Sequence, residues 1–223
     1  MTKTLIVSNS VNPLVLREAA FVRRYLSRPY EIRNLVYDPR PVDSHRYARI
    51  ILMGSEADVG DGRSWMRRET ELIREAAERE IPLLGVCFGH QLIAHAFGGS
   101  VGRAKQPELG WFAQTPLTDR GLFDKMPDPC FAMCTHMDEV KTIPAGFALA
   151  ARSDRCTVAG MVHETKPIWT VQFHPEIDPR NGLLLLSAMK IAHRSLPVDP
   201  LTAWRYSKDS GFGPVLFSQF EAV

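Results

Sequence analysis

The chain has 223 residues and a mass of 25.1 kDa, and its 45% hydrophobic content is enough for one large core. With 27 basic against 25 acidic residues its charge is close to balanced, so no surface for nucleic acid or an anionic membrane is expected. Cys87, Cys130, Cys134 and Cys156 show no paired framework, the N-terminus runs straight into a β-type stretch without a signal peptide, and no apolar run spans a bilayer; a reducing cytoplasm is the expected setting.

Thr4 to Val7 is a short β-type run, after which Asn12-Pro13 supplies an N-cap and a first-turn proline for a helix to about Leu26. Its apolar face (Leu14, Leu16, Ala20, Phe21, Tyr25) should lie on a sheet. Tyr30 to Leu35 is the second strand, Pro39 and Pro41 mark a loop, and Ala48 to Met53 is the third strand, ending at Gly54. Trp65 to Glu80 carries a helical apolar repeat that Pro82 stops.

Pro82-Leu83-Leu84-Gly85-Val86-Cys87 then reads as a buried parallel strand that turns sharply into a helix from Phe88 to Phe97. Gly85 and Gly89 stand two residues either side of Cys87, the spacing a strained strand-to-helix turn needs, because side chains there would collide with neighbouring backbone. The sulfur is thereby set at a helix N-terminus, where free N–H groups and the dipole favour thiolate.

From Val101 the pattern changes to short β-type pieces suited to antiparallel hairpins: Gly110 to Leu117, Cys130 to Met133, Phe147 to Ala151, Val158 to His163 and Ile168 to Phe173. The last of these leads into His174-Pro175-Glu176, a histidine and a carboxylate where catalytic side chains gather in open α/β sheets. Asp178-Pro179 begins a final helix through Leu183–Leu186 to Ala192. The segment 197–223 is low in helical periodicity, but its aromatic residues (Trp204, Tyr206, Phe212, Phe217, Phe220) predict a tail packed on the 1–196 domain or on a partner. The whole predicts an α/β fold: a doubly wound, mostly parallel sheet with helices on both faces and added antiparallel strands.

Gly-Val-Cys-Phe-Gly-His-Gln at 85–91 and Gln-Phe-His-Pro-Glu at 172–176 together resemble the class I glutamine amidotransferases, and the likeness runs from about Leu5 to about Arg194. It implies Cys87 as nucleophile, His174 as its proton partner and Glu176 as the carboxylate that orients the imidazole. An oxyanion hole would pair the Phe88 N–H with that of Gly54 or Ser55, and Met53-Gly54-Ser55, in place of the family's usual Gly-Gly-Pro, leaves open which of the two donates. Thr135-His136-Met137-Asp138 is similar to the substrate loop of the glutaminase domain of GMP synthetase, which suggests Thr135, His136 and Met137, with Ser55 and Gln91, as neighbours of L-glutamine. Thr170 stands where relatives commonly have glycine, with no consequence expected for the triad.

No cofactor is expected, and no metal: Cys130 and Cys134 lack a second ligand pair at zinc spacing. No acceptor-activating motif is found, so a separate synthetase subunit is the implied partner for the ammonia. The alternatives are a γ-glutamyl peptidase or hydrolase with the same triad, and a non-catalytic regulatory relative, which the intact triad disfavours.

Overall fold

The computed structural model describes residues 3–12, 18–192 and 194–223. Its strands are β1 (Lys3–Ser8), β2 (Tyr30–Asn34), β3 (Tyr47–Leu52), β4 (Leu83–Val86), β5 (Ser100–Pro116), β6 (Cys130–Thr142), β7 (Phe147–Arg152), β8 (Gly160–His163) and β9 (Ile168–Val171). Its helices are α1 (Glu18–Val22), α2 (Ser64–Glu78), α3 (Phe88–Ala96), α4 (Pro179–Ala192), α5 (Pro200–Arg205) and α6 (Phe212–Ala222).

Among the described residues the strands form one sheet in the order β2-β1-β3-β4-β9-β8-β7-β5-β6. The β2-β1-β3-β4-β9 half is parallel, and the remaining pairings are antiparallel. Strands β4 and β9 and the Ile50-Ile51-Leu52 end of β3 are nearly continuous runs of Leu, Ile, Val and Trp, as a sheet covered on both faces requires. Side-chain alternation divides them between two cores. Leu5, Val7, Ile50, Leu52 and Leu83 pack with α2 and α3, while Ile6, Ile51, Leu84 and Val86 pack with α1 and α6.

Helix α2 shows why its sequence folds as it does: Trp65, Met66, Leu72, Ile73, Ala76 and Ala77 are buried, while Arg67, Glu71, Arg74 and Glu78 recur on the exposed side.

Three expectations change. Of the helix expected at 12–26, Pro13, Leu14 and Leu16 lie outside the described residues; the rest is α1 followed by a 3₁₀ turn over Arg23–Tyr25. The short pieces at 110–117 and 130–133 are parts of two long strands, β5 and β6, so Thr135-His136-Met137 lies within a strand and not in a loop. The segment after 197 is helical: α5 is capped by Asp199, which accepts from the Thr202 N–H, and α6 buries Phe212, Leu216, Phe217 and Phe220 in the same core as Trp169 and Phe173. Tyr25 and Phe217 stack with ring centroids 5.4 Å apart.

Candidate active site

Cys87 follows β4 with φ 54° and ψ −106°, a conformation an L-residue adopts only under constraint. The constraint comes from both sides. A Cβ at Gly85 would lie 2.7 Å from the Gly89 carbonyl oxygen, and one at Gly89 would collide with the Leu52 carbonyl at the end of β3. Only glycines allow this turn, and their close packing brings the end of β3, with Gly54 just beyond it, against the start of α3.

The second half of the site is delivered by the neighbouring strand. Val86 pairs with Val171 of β9, and the Cys87 N–H donates to the Val171 carbonyl at 2.8 Å. Three residues past Val171 the chain reaches His174, whose N–H donates to the Met133 carbonyl of β6 at 2.7 Å. Cys87 and His174 therefore emerge at the carboxyl ends of adjacent parallel strands.

His174 Nδ1 lies 2.7 Å from Glu176 Oε1, and both residues are buried. A carboxylate there fixes the proton on Nδ1 and leaves the lone pair on Nε2. Nε2 in turn accepts from the Thr135 hydroxyl at 3.0 Å. The loop carrying these groups is held from behind: the Arg24 guanidinium donates to the Glu176 carbonyl at 2.9 Å and pairs with Asp178 at 2.5 Å. Gly213 of α6 lies so close to Pro175 that a Cβ would collide with the Pro175 carbonyl.

The Gly54 loop is anchored by polar groups. Ser55 Oγ donates to the Asn9 carbonyl at 2.7 Å and accepts from the Ala57 N–H at 3.1 Å. Asn9 Nδ2 reaches the Met53 carbonyl at 3.2 Å and Glu69 Oε1 at 2.9 Å. Burial pushes the Glu69 carboxyl up to about 8, against the lowering effect of the Asn9 hydrogen bond, so it is protonated at neutral pH. Gly54 is buried, and among the described residues its N–H has no partner.

Other residues suggested as substrate neighbours are engaged elsewhere. Gln91 Nε2 donates to the Asp138 carbonyl at 2.9 Å and to Gln172 Oε1 at 3.1 Å. The His136 ring turns away to Glu108, leaving only its backbone for that reading, and Met137 is half-buried. His90 is a poor proton carrier: burial, followed by the neighbouring His136, lowers it to about 3, and its Nδ1 lies 2.8 Å from the Thr170 hydroxyl. That contact gives Thr170 a role the sequence did not suggest. Burial also pushes up the other thiols, Cys130 to about 12 and Cys134 and Cys156 well above the ordinary range.

The Thr135 contact, the Asn9–Glu69 anchor and the Arg24 and Gly213 supports were not foreseeable from sequence, because no short motif carries them. No helix among the described residues is long and apolar enough to cross a membrane.

A family model described as glutamine amidotransferase class-I matches residues 19–186. The glutamine-hydrolyzing GMP synthase subunit of Methanopyrus kandleri is 39% identical over 154 residues, 69% of this chain and 79% of that protein. The protein of the same name from Methanocaldococcus jannaschii is 38% identical over 136 residues, 61% of this chain and 69% of its own. A glutamine amidotransferase structure from Thermotoga maritima superposes with a TM-score of 0.82 over 99% of this chain and 97% of that one, at 22% identity, which speaks to the fold alone. Matched by the family model over most of its length and sharing the fold end to end, this chain belongs to the class-I glutamine amidotransferases.

Proposed function

We propose that the chain hydrolyses the side-chain amide of L-glutamine through a Cys87 thioester and delivers ammonia to a separate synthetase subunit. The observation that carries the reading is the strained cysteine at the end of β4 beside a His174–Glu176 pair, bonded at 2.7 Å, at the end of β9. Cys87 adds to the amide carbonyl as its proton passes to His174 Nε2, and Glu176 stabilises the imidazolium. The oxyanion is met by the Phe88 N–H at the start of α3 and by the Gly54 N–H. His174 returns the proton to the departing nitrogen, ammonia leaves, and a water deprotonated by the same imidazole opens the thioester to glutamate.

Thr135, whose hydroxyl already meets Nε2, belongs at the rim of the substrate cleft. The support for a partner is that the relatives are named as subunits of a glutamine-hydrolysing synthase.

A glutamine-analogue electrophile tests the reading: it should label one site, and labelling should vanish in Cys87→Ala. Ammonia release from glutamine measured beside turnover of γ-glutamyl dipeptides decides the substrate. Faster turnover of the dipeptides would make the chain a γ-glutamyl peptidase, the reading its departure at Met53-Gly54-Ser55 favours.

A further inference from the structure

A second set of reactive side chains lies outside the Cys87 site, on the ladder between β5 and β6. Glu108 and His136 are register partners, and Cys134 faces Gly110 across the same ladder. Alternation puts Cys134 and His136 on one face of β6 and Thr135 on the other. Glu108, Cys134 and His136 are all buried, and each offers a ligand atom within 4.8 Å of the others.

The hydrogen bonds around this set leave two acceptors facing each other. His136 Nδ1 lies 3.0 Å from the Asp138 carbonyl oxygen, which only accepts, so Nδ1 carries the ring proton. Nε2, left with its lone pair, lies 2.9 Å from Glu108 Oε2, while Glu108 Oε1 accepts from the Ser153 hydroxyl at 2.6 Å. Two acceptors this close need something positive between them: a proton or a metal ion.

A proton would satisfy that pair, and the Cys134 thiol would keep its hydrogen, donating to the Ala132 carbonyl at 3.8 Å and accepting from Gln114 Nε2 at 3.4 Å. Gln114 is fully buried, and among the described residues its Oε1 has no partner.

We propose that Glu108, Cys134 and His136 bind one divalent transition-metal ion, zinc by its ligand preferences, with Gln114 Oε1 as fourth donor once the amide turns end for end. Thiolate, imidazole and carboxylate together suit zinc better than a hard cation. Zinc bonds of about 2.0 to 2.3 Å would set the ligand atoms roughly 3 to 4 Å apart, a spacing small side-chain adjustments reach from the present one. One thiolate, one carboxylate and a doubly charged ion sum to zero, which a buried site demands. Binding expels two protons, one from the Cys134 thiol and one shared by Glu108 and His136. The His136 N–H held by a backbone carbonyl is the outer contact that orients a ligating imidazole. The ion would clamp β5 to β6 directly behind Thr135.

The site is closed to solvent, so the metal is supplied during synthesis. The full chain expressed with zinc should contain one zinc per chain by elemental analysis. Expressed in cobalt-supplemented medium, it should show a thiolate-to-cobalt charge-transfer band that persists in Cys87→Ala and Cys156→Ser and disappears in Cys134→Ser. Glu108→Gln, which keeps the shape and the Ser153 contact, should also lose the metal, covering the case in which the serine variant does not fold. A metal-free wild-type chain with no cobalt band, or a band that survives Cys134→Ser, would overturn the proposal and leave a proton between Glu108 and His136.

Discussion

Glu176 has one oxygen on His174 Nδ1 at 2.7 Å and a second, buried, with no partner among the described residues. Its charge is therefore directed at the imidazole, which is what an orienting carboxylate in a triad requires. Glu176→Gln should preserve the fold but turn an N–H toward Nδ1, moving the ring proton to Nε2 and removing the base. We expect kcat to fall by roughly a thousand- to ten-thousand-fold, the scale of an acid-to-amide change in a comparable triad. Unchanged kcat would show that another group holds the histidine.

Glu69 gives a second expectation at this scale. Its carboxyl, pushed up to about 8 in the folded chain, is stabilising while protonated, and that contribution is complete below the ordinary carboxylate range. It is lost as pH rises toward and through about 8, at a cost on the order of several kcal/mol. Glu69→Gln keeps an acceptor for Asn9 and should flatten this slope. Thermal unfolding at about pH 5 and about pH 8.5 compares the two chains, and parallel shifts would reject Glu69 as the titrating group.

Among the elements, β4 with α3 was the most legible, because Gly85, Cys87 and Gly89 state the geometry of the turn in their own spacing. The β5–β6 pair was the least legible. A strand is recognised by alternating apolar and polar residues, but here Glu108, Gln114, Cys134 and His136 are buried, so the inward face reads as polar. The same residues form the proposed metal site, in which Cys134 is joined by His136 on its own strand and by Glu108 from across the ladder, and not by Cys130. Helix α6 was legible in principle, since Phe212, Leu216, Phe217 and Phe220 recur at helical spacing. Its relation to the site was not, because a tertiary approach of Gly213 to Pro175 leaves no sequence signature. Gly213→Ala should push the His174–Glu176 loop outward, costing about 1 to 3 kcal/mol of stability and lowering kcat well beyond that loss. Unfolding and steady-state assays on one preparation check it; normal kcat in a destabilised variant would mean that α6 supports the core and not the loop.

For the whole molecule, the parallel half of the sheet was foreseeable from alternating strand and helix signals, and a partner subunit was implied by the missing acceptor chemistry, but where it docks was not foreseeable, since a docking surface is a property of two chains. If ammonia goes to a synthetase subunit, the isolated chain should hydrolyse glutamine slowly and speed up when the partner is added. The Gly54 peptide is a suitable switch, because losing one oxyanion donor costs about a hundredfold or more in rate. A kcat near about 10 per second for the chain alone would contradict this coupling.

The pairing of β4 with β9 has a consequence for how the molecule acquires activity. Leu83 and Ile168 are register partners although 85 positions separate them in the chain, whereas β7 and β8 pair across a short connection. Closing so long a loop costs entropy that local hairpins avoid, so the two strands that lead to Cys87 and His174 should come together late. On refolding from denaturant, the return of ammonia release should lag behind the return of sheet measured by circular dichroism. Simultaneous recovery would mean that the long-range pair forms with the hairpins. If the pair forms late, the chain spends its early folding life as an ordered scaffold with Cys87 and His174 still apart, unable to consume glutamine before the sheet is complete.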